Sequence, residues 1–349
     1  MVLAVFMLAG CADEVIGDYI DQYTPPVQKE KLELDLYIVC EEGTTKTVCD
    51  TVQQRIESYT LTEFETAVKV HYFTAAEYEA KVTAAVKSDA EDKADIVLIN
   101  SKSLMDKLLA DKVLADLTGF FEGNKYGTLN KQIATSLLEA ATVTEVVDDE
   151  TVEKLYCVPN NHVVGKYEYL LVNKEKAREY FISDIDLAAF TTSDAANDLR
   201  ALIEADGEDP DEFVKVVEGM YEDKAKYEAA GYACNVIKYP EATAEDAFSG
   251  AFAIVNASEE VVDRAMEIIY AINTDVTLHN YLTYGIPATN YSIDDNNNVT
   301  RNKEDNSAYL MSYLYTGDVF KSYYCEELGW TDESAEYGDL QNKDSVSAQ

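Results

Sequence analysis

From Leu32 to Leu109 the chain repeats one rhythm, strand then helix, and that rhythm narrows the folds open to it. Leu32-Glu33-Leu34-Asp35-Leu36-Tyr37-Ile38-Val39 begins as strict alternation and ends as an apolar run, the pattern of a strand entering a buried sheet. After the loop Glu41-Glu42-Gly43-Thr44, residues Val48, Val52 and Ile56 recur at helical spacing. Ala67 to Tyr72 reads as a second strand. Thr74 with Glu77 three residues on has the form of a capping box, opening a helix whose stripe is Tyr78, Val82, Ala85 and Val86. Asp95 to Asn100 reads as a third strand, and Ser101 opens a helix bearing Leu104, Met105, Leu108 and Leu109. Strand-helix-strand-helix-strand with buried strands predicts a parallel sheet covered on both faces.

The rhythm then changes. Val143 to Val147, a turn at Asp148-Asp149-Glu150, and Thr151 to Val158 predict a hairpin that runs into Pro159-Asn160-Asn161-His162. Tyr167 to Asn173 reads as a strand followed by a short helix from Lys174, and Asp209-Pro210 predicts another helix start, a cap residue followed by proline. Gly231 to Tyr239 and Phe252 to Val255 read as strands. Ser258 precedes a long helix with Val262, Ala265, Met266, Ile269 and Ile272 on one face, and a second helix from Asp275 stops at Gly285. From Asp294 the chain is rich in Asn and Asp and ends in a polar tail. The expected fold class is α/β, with two open α/β units joined by crossing strands. Ligands in such folds favour the carboxyl ends of strands, at the crevice between units.

Only Met1 to Gly10 is apolar enough to enter a bilayer core, and it is far too short to span one, which takes roughly 20 residues. It has the length of a signal-peptide apolar region and runs into Leu8-Ala9-Gly10-Cys11. That string resembles the bacterial lipoprotein lipobox, although the usual Lys/Arg-rich start is missing. The resemblance implies that residues 1–11 are a signal peptide with a lipidated Cys11. Residues 12–31, acidic and containing Pro25-Pro26, read as a semi-extended tether. One acyl chain holds a protein marginally and two anchor it stably. The expected location is therefore the outer face of the cytoplasmic membrane, extracellular or periplasmic. Lys and Arg number 28 against 66 Asp and Glu, a net charge of -38, which excludes general nucleic-acid binding and reads as a hydrated, self-repelling surface. The other cysteines, Cys40, Cys49, Cys157, Cys234 and Cys325, are odd in number and fit no metal-binding spacing. Buried free thiols are expected, with Cys40 and Cys49 near enough in sequence to pair.

Four segments, in order, resemble the family 1 extracellular solute-binding proteins: Asp95 to Ser101, Tyr156-Cys157-Val158-Pro159-Asn160-Asn161-His162, Tyr169 to Lys174, and Tyr284-Gly285-Ile286-Pro287-Ala288-Thr289-Asn290-Tyr291. The resemblance implies a two-lobed periplasmic-binding-protein type II fold, with residues 32–158 plus 250–290 as lobe 1 and 159–249 plus 291–349 as lobe 2. It also implies a monomeric receptor, without cofactor, that delivers a carbohydrate to the permease subunits of an ABC importer. Two features depart from the family pattern. The middle region is short, and the chain has one tryptophan, Trp330, beside 25 tyrosines.

The candidate ligand-binding residues follow from chemistry and position. Glu42 and Thr44 lie in the loop after the first strand, and Asn100-Ser101 sit at a strand end and a helix start, where a free backbone N–H and a capping hydroxyl coincide. Asn160, Asn161 and His162 lie where the units should cross, and amides match sugar hydroxyls by both donating and accepting. Tyr167, Tyr291 and Trp330 are candidate aromatic platforms, with plain packing as the alternative for each. His71, His162 and His279 are the only histidines and none has metal-ligand spacing, so no metal is expected. No G-x-S-x-G, P-loop or G-x-G-x-x-G string occurs, and the chain is expected not to be an enzyme. The alternatives are a lipoprotein that reports solute to a membrane sensor kinase, and a surface carbohydrate-active enzyme.

Overall fold

The computed structural model describes residues 31–87, 92–123, 125–147, 149–304 and 306–348. The lipobox with Cys11, and the tether up to residue 30, lie outside the described residues. Strands β1 (Leu32–Val39), β2 (Thr66–Phe73) and β3 (Ile96–Ile99) are parallel, with β1 in the middle, and the two predicted helices run between them as Lys46–Glu63 and Ala75–Ala85. All four residues of β3 are inaccessible to solvent, which is why this strand reads as a continuous apolar run and not an alternation. The Tyr78 hydroxyl donates to the carbonyls of Tyr37 and Leu98, on β1 and β3, at 2.9 and 2.7 Å. A fully buried phenol is thereby satisfied while it bridges two strands.

The predicted hairpin forms as β4 (Val143–Val147) and β5 (Glu150–Lys154), with Asp149 at a positive φ of 67° in its turn. It does not continue to Val158. The chain breaks after Lys154 and re-enters the first sheet as β6 (Cys157–Pro159). It then builds a second sheet from β7 (Tyr167–Asn173), β8 (Val214–Gly219) and β9 (Tyr232–Lys238), passes through the short β10 (Glu241–Ala242), and returns to the first sheet as β11 (Ala251–Ile254). β11 is antiparallel to both neighbours, and the five-stranded order is β2-β1-β3-β11-β6. In the second sheet β7 is central and antiparallel to β8 and β9. Asp209-Pro210 opens only one 3-10 turn, Pro210–Glu212, before β8, because Val214, Val216 and Val217 favour the pleated surface over a helix.

A hairpin of β12 (Tyr291–Ile293) and β13 (Val299–Arg301) follows the helices Glu259–Thr274 and Val276–Tyr284, and β14 (Val346–Ser347) pairs in parallel with β10. The large core gathers around the first sheet and includes Tyr309 and Met311 from the late chain, while a smaller core around Leu170, Val172, Leu199, Ile203 and Val214 belongs to one face of the second sheet. Cys40, Cys49, Cys157, Cys234 and Cys325 are all buried and free. Among the described residues, no helix is long and apolar enough to cross a membrane.

The chain passes from the first sheet to the second through residues 160–166, and side-chain amides of the helix Asp332–Asp344 hold it there. Gln341 Nε2 donates to the carbonyls of Val164 and Gly165, each at 2.9 Å, while its Oε1 accepts from Tyr221 N at 3.0 Å. Asn342 Nδ2 donates to His162 O at 2.8 Å, and its Oδ1 accepts from Val164 N at 3.1 Å. Both amides are buried, at 1% and 9% exposure, so water cannot replace them. Gln341→Ala would leave three backbone groups without partners, at about 1–3 kcal/mol each when buried. The expected outcome is a loss of several kcal/mol in urea unfolding, read as a lower midpoint at unchanged slope.

Candidate functional site

Because β11 runs antiparallel to its neighbours, its amino end meets the carboxyl ends of β3 and β6: Ala251 pairs with both Ile99 and Pro159. The carboxyl ends of β1, β3 and β6 thus form one edge with the residue just before β11, Gly250. A strap from Tyr309 to Thr316 lies against this edge. Leu310 O accepts from Glu41 N at 3.0 Å, and Leu310 N donates to Thr44 Oγ1 at 2.9 Å. Leu314 O accepts from Asn160 Nδ2 at 2.8 Å. A Cβ on Gly250 would stand 2.3 Å from Leu314 O, so only glycine admits the strap.

The strap carries Tyr313 and Tyr315 on either side of Leu314, both partly exposed. The Tyr313 ring stacks on Trp330 with centroids 5.9 Å apart and an interplanar angle of 27°, and Phe320 meets Trp330 edge-on at 5.4 Å. Trp330 is 3% exposed, so Tyr313 is the outer layer of this aromatic pair and Trp330 its backing. Burial raises both phenols, Tyr315 with further help from the Glu41 carboxylate, so both stay protonated near neutrality and keep a donor. Polar groups without partners sit in the same region. Asn100 is half-buried and makes no side-chain hydrogen bond among the described residues, while Asn160 Oδ1 and Trp330 Nε1 are buried without a partner.

The predicted site residues divide between this edge and other places. Glu42 is exposed in the loop after β1, and Thr44 clasps the strap. Ser101 caps its helix by accepting from Leu104 N at 3.2 Å, which leaves its hydroxyl proton available. Asn160 lies at the end of β6, whereas Asn161 turns away from the strap. Both amide protons of Asn161 are used, on Gln132 O and Asp318 Oδ1, and its Oδ1 accepts from Ala134 N. His162 is buried, with Nδ1 2.8 Å from Asn160 O, and burial lowers its pKa. Tyr291 packs into a separate cluster with Tyr284, Val299 and Cys325.

Tyr167 lies at the start of β7, where the ends of β8 and β9 bring Tyr221 and Tyr239 beside it at 6.3 and 6.2 Å between ring centroids. Its hydroxyl donates to Asp344 at 2.8 Å, and Tyr239 is the exposed member of the group. Sequence reasoning missed Tyr313, Tyr315, Tyr221 and Tyr239. The close spacing of Tyr309, Tyr313 and Tyr315 was the available signal, in a stretch read only as polar. Among the described residues no group of three or more His, Cys, Asp or Glu side chains is placed to hold a metal ion.

No protein-family model matches the chain, and no curated protein matches it. Solved structures do. The N-glycan transport solute binding protein (NgtS) of Streptococcus pneumoniae superposes with a TM-score of 0.56 at 15% identity, covering 91% of this chain and 84% of that one. The same protein in complex with Man1GlcNAc gives 0.54 at 17% identity, with the same coverage, and in complex with Man5GlcNAc 0.54 at 16%, covering 91% and 83%. At these identities the likeness shows the fold: the described residues have the mixed α/β architecture of two-lobed solute-binding proteins, and no closed barrel occurs among them.

Beside Asn161, Asp318 is a carboxylate with 2% exposure, and burial pushes its pKa up from an ordinary 3.8 to about 6 against the pull of Phe320 N–H and Asn161. The folded state therefore holds a proton that the unfolded state releases, and this contribution is lost as pH rises from about 4 to about 6. His279 works in the opposite sense. It is fully buried, with Nε2 2.7 Å from Ser322 Oγ, and burial drops its pKa to about 4. Its contribution is lost as pH falls from about 6.5 to about 4, so the two groups offset each other across one window. Asp318→Asn removes one side of that balance. Relative to the parent, the variant should gain about 3 kcal/mol between pH 4 and pH 7, at about 1.36 kcal/mol per pH unit. Urea melts of both proteins at each pH check it.

Proposed function

We propose that the chain is the solute-binding lipoprotein of an ABC importer, capturing a carbohydrate between two lobes and delivering it to a membrane permease. One observation carries the sugar reading. A partly exposed tyrosine face, Tyr313 backed by Trp330, is held by the strap at the carboxyl edge of the first sheet, where the half-buried Asn100 amide makes no side-chain hydrogen bond among the described residues. Sugars present an apolar ring face and a rim of hydroxyls, and an aromatic plane with amide and phenol groups meets both. The fold likeness to a glycan-transport solute-binding protein supports the same reading.

In this reading the first sheet with Glu42, Thr44, Asn100 and Ser101 forms one wall, with Asn160 buried behind it, and the edge of the second sheet with Tyr221 and Tyr239 forms the other, with Tyr167 packed beneath them. Residues 160–166 are the hinge between the lobes. Solute favours the closed form only by binding it more tightly than the open one. The protein performs no catalysis, and a lipidated Cys11 holds it on the outer face of the membrane, with the acidic residues after it as a tether.

A thermal-shift screen of residues 12–349 against mono- and oligosaccharides and peptides tests the proposal. A sugar at 100 times its Kd should add about 2.7 kcal/mol of stability. Tyr313→Ala should weaken that sugar about tenfold, the upper end of what one aromatic contact contributes beyond its area. A shift with peptides and with no sugar would show the carbohydrate assignment to be wrong.

A further inference from the structure

Cys40 immediately precedes the loop Glu41–Thr44, and Cys49 sits on the first turn of the helix that follows it. Both thiols are free and buried, and they stand together on the wall of one cavity. That cavity, of about 360 Å³, also takes in Thr44, His71, Thr74 and Glu77, so a small reagent has a route to the two thiols although each is less than 10% exposed. The remaining described cysteines have no such neighbour. Cys157, Cys234 and Cys325 lie in separate parts of the structure, and burial pushes the first two thiols up to about 12 and about 11. The Cys49 thiol instead draws the Cys40 thiol below its ordinary value, which favours the attacking thiolate.

We infer that Cys40 and Cys49 form a reversible dithiol, which on oxidation by a small disulfide closes a bond tying the end of β1 to the helix Lys46–Glu63 and fixing the Glu41–Thr44 loop. The Cys40 thiolate attacks one sulfur of the reagent, forming a mixed disulfide and releasing one reagent thiol. The Cys49 sulfur then attacks Cys40, gives up its proton and releases the second. Two protein thiols and one reagent disulfide become one protein disulfide and two reagent thiols, with both electrons passing to the reagent. Thr44 joins the strap through Leu310, so the bond would tie the strap to the helix through this loop.

The test treats the reduced full chain with 2-hydroxyethyl disulfide under native conditions. Trypsin cuts after Lys31, Lys46 and Arg55, placing Cys40 in peptide 32–46 and Cys49 in peptide 47–55, which only a disulfide holds together. The expected result is the linked pair, a thiol count lower by two, and recovery of both thiols on adding dithiothreitol. Cys49→Ser should instead stop at a mercaptoethanol adduct on Cys40. A parent protein that yields only that adduct, or that links the peptides only after denaturation, overturns the inference. Because the readout needs no solute, failure here leaves the carbohydrate reading standing, and failure to bind sugar leaves this one.

Discussion

The candidate site depends on a backbone contact that no side chain would allow. Leu314 carbonyl rests against Gly250 and takes the Asn160 amide proton, which fixes the strap on the edge of the first sheet. Everything that distinguishes this edge follows from that seat. Tyr313 and Tyr315 flank Leu314 and are held beside the strand ends, and Trp330 reaches the edge only as the layer beneath Tyr313. The antiparallel entry of β11 is the topological condition for it, since it brings the residue before the strand to the carboxyl ends of its neighbours.

Polar chemistry inside the molecule is divided between holding the chain and leaving capacity free. Asn161, Gln341 and Asn342 spend their amides on backbone and side-chain partners around the crossing, where an unmet group would be costly. Asn100 keeps unused capacity at the sheet edge, and Asn160 Oδ1 is buried behind it without a partner. Residues of one chemical type, adjacent in sequence, therefore do different things. Asn160 and Asn161 point to opposite sides because consecutive residues of an extended chain alternate. Asp318 and His279 are buried with opposite pH preferences, so their contributions to stability oppose each other across one pH window.

Much of the first sheet was legible because its signals are local. The apolar run of β3, the stripe of the helix Lys46–Glu63 and the glycine after Tyr284 each declare an element within a few residues. The second sheet was less legible. β8 hides behind an Asp-Pro pair that suggests a helix, and the antiparallel pairing of β7 with β8 and β9 is not written in any one segment. At the site, the loop after β1 and the end of β3 could be placed from strand direction alone. The strap could not, because its position rests on contacts with residues such as Thr44, 266 positions away. Trp330 drew attention as the sole tryptophan, but its role as a support for Tyr313 is a property of packing that composition does not carry.

The two carbonyls that accept from Gln341 stand 176 and 177 positions earlier in the chain. Synthesis runs from the amino end, so the connection between the two sheets stays unclasped until Gln341 has emerged. Both sheets can assemble before that moment, yet their junction remains pliable. The helix Asp332–Asp344, made after the strands of both sheets, is the one that sets it, and cutting that helix loose would slacken the link while sparing both sheets.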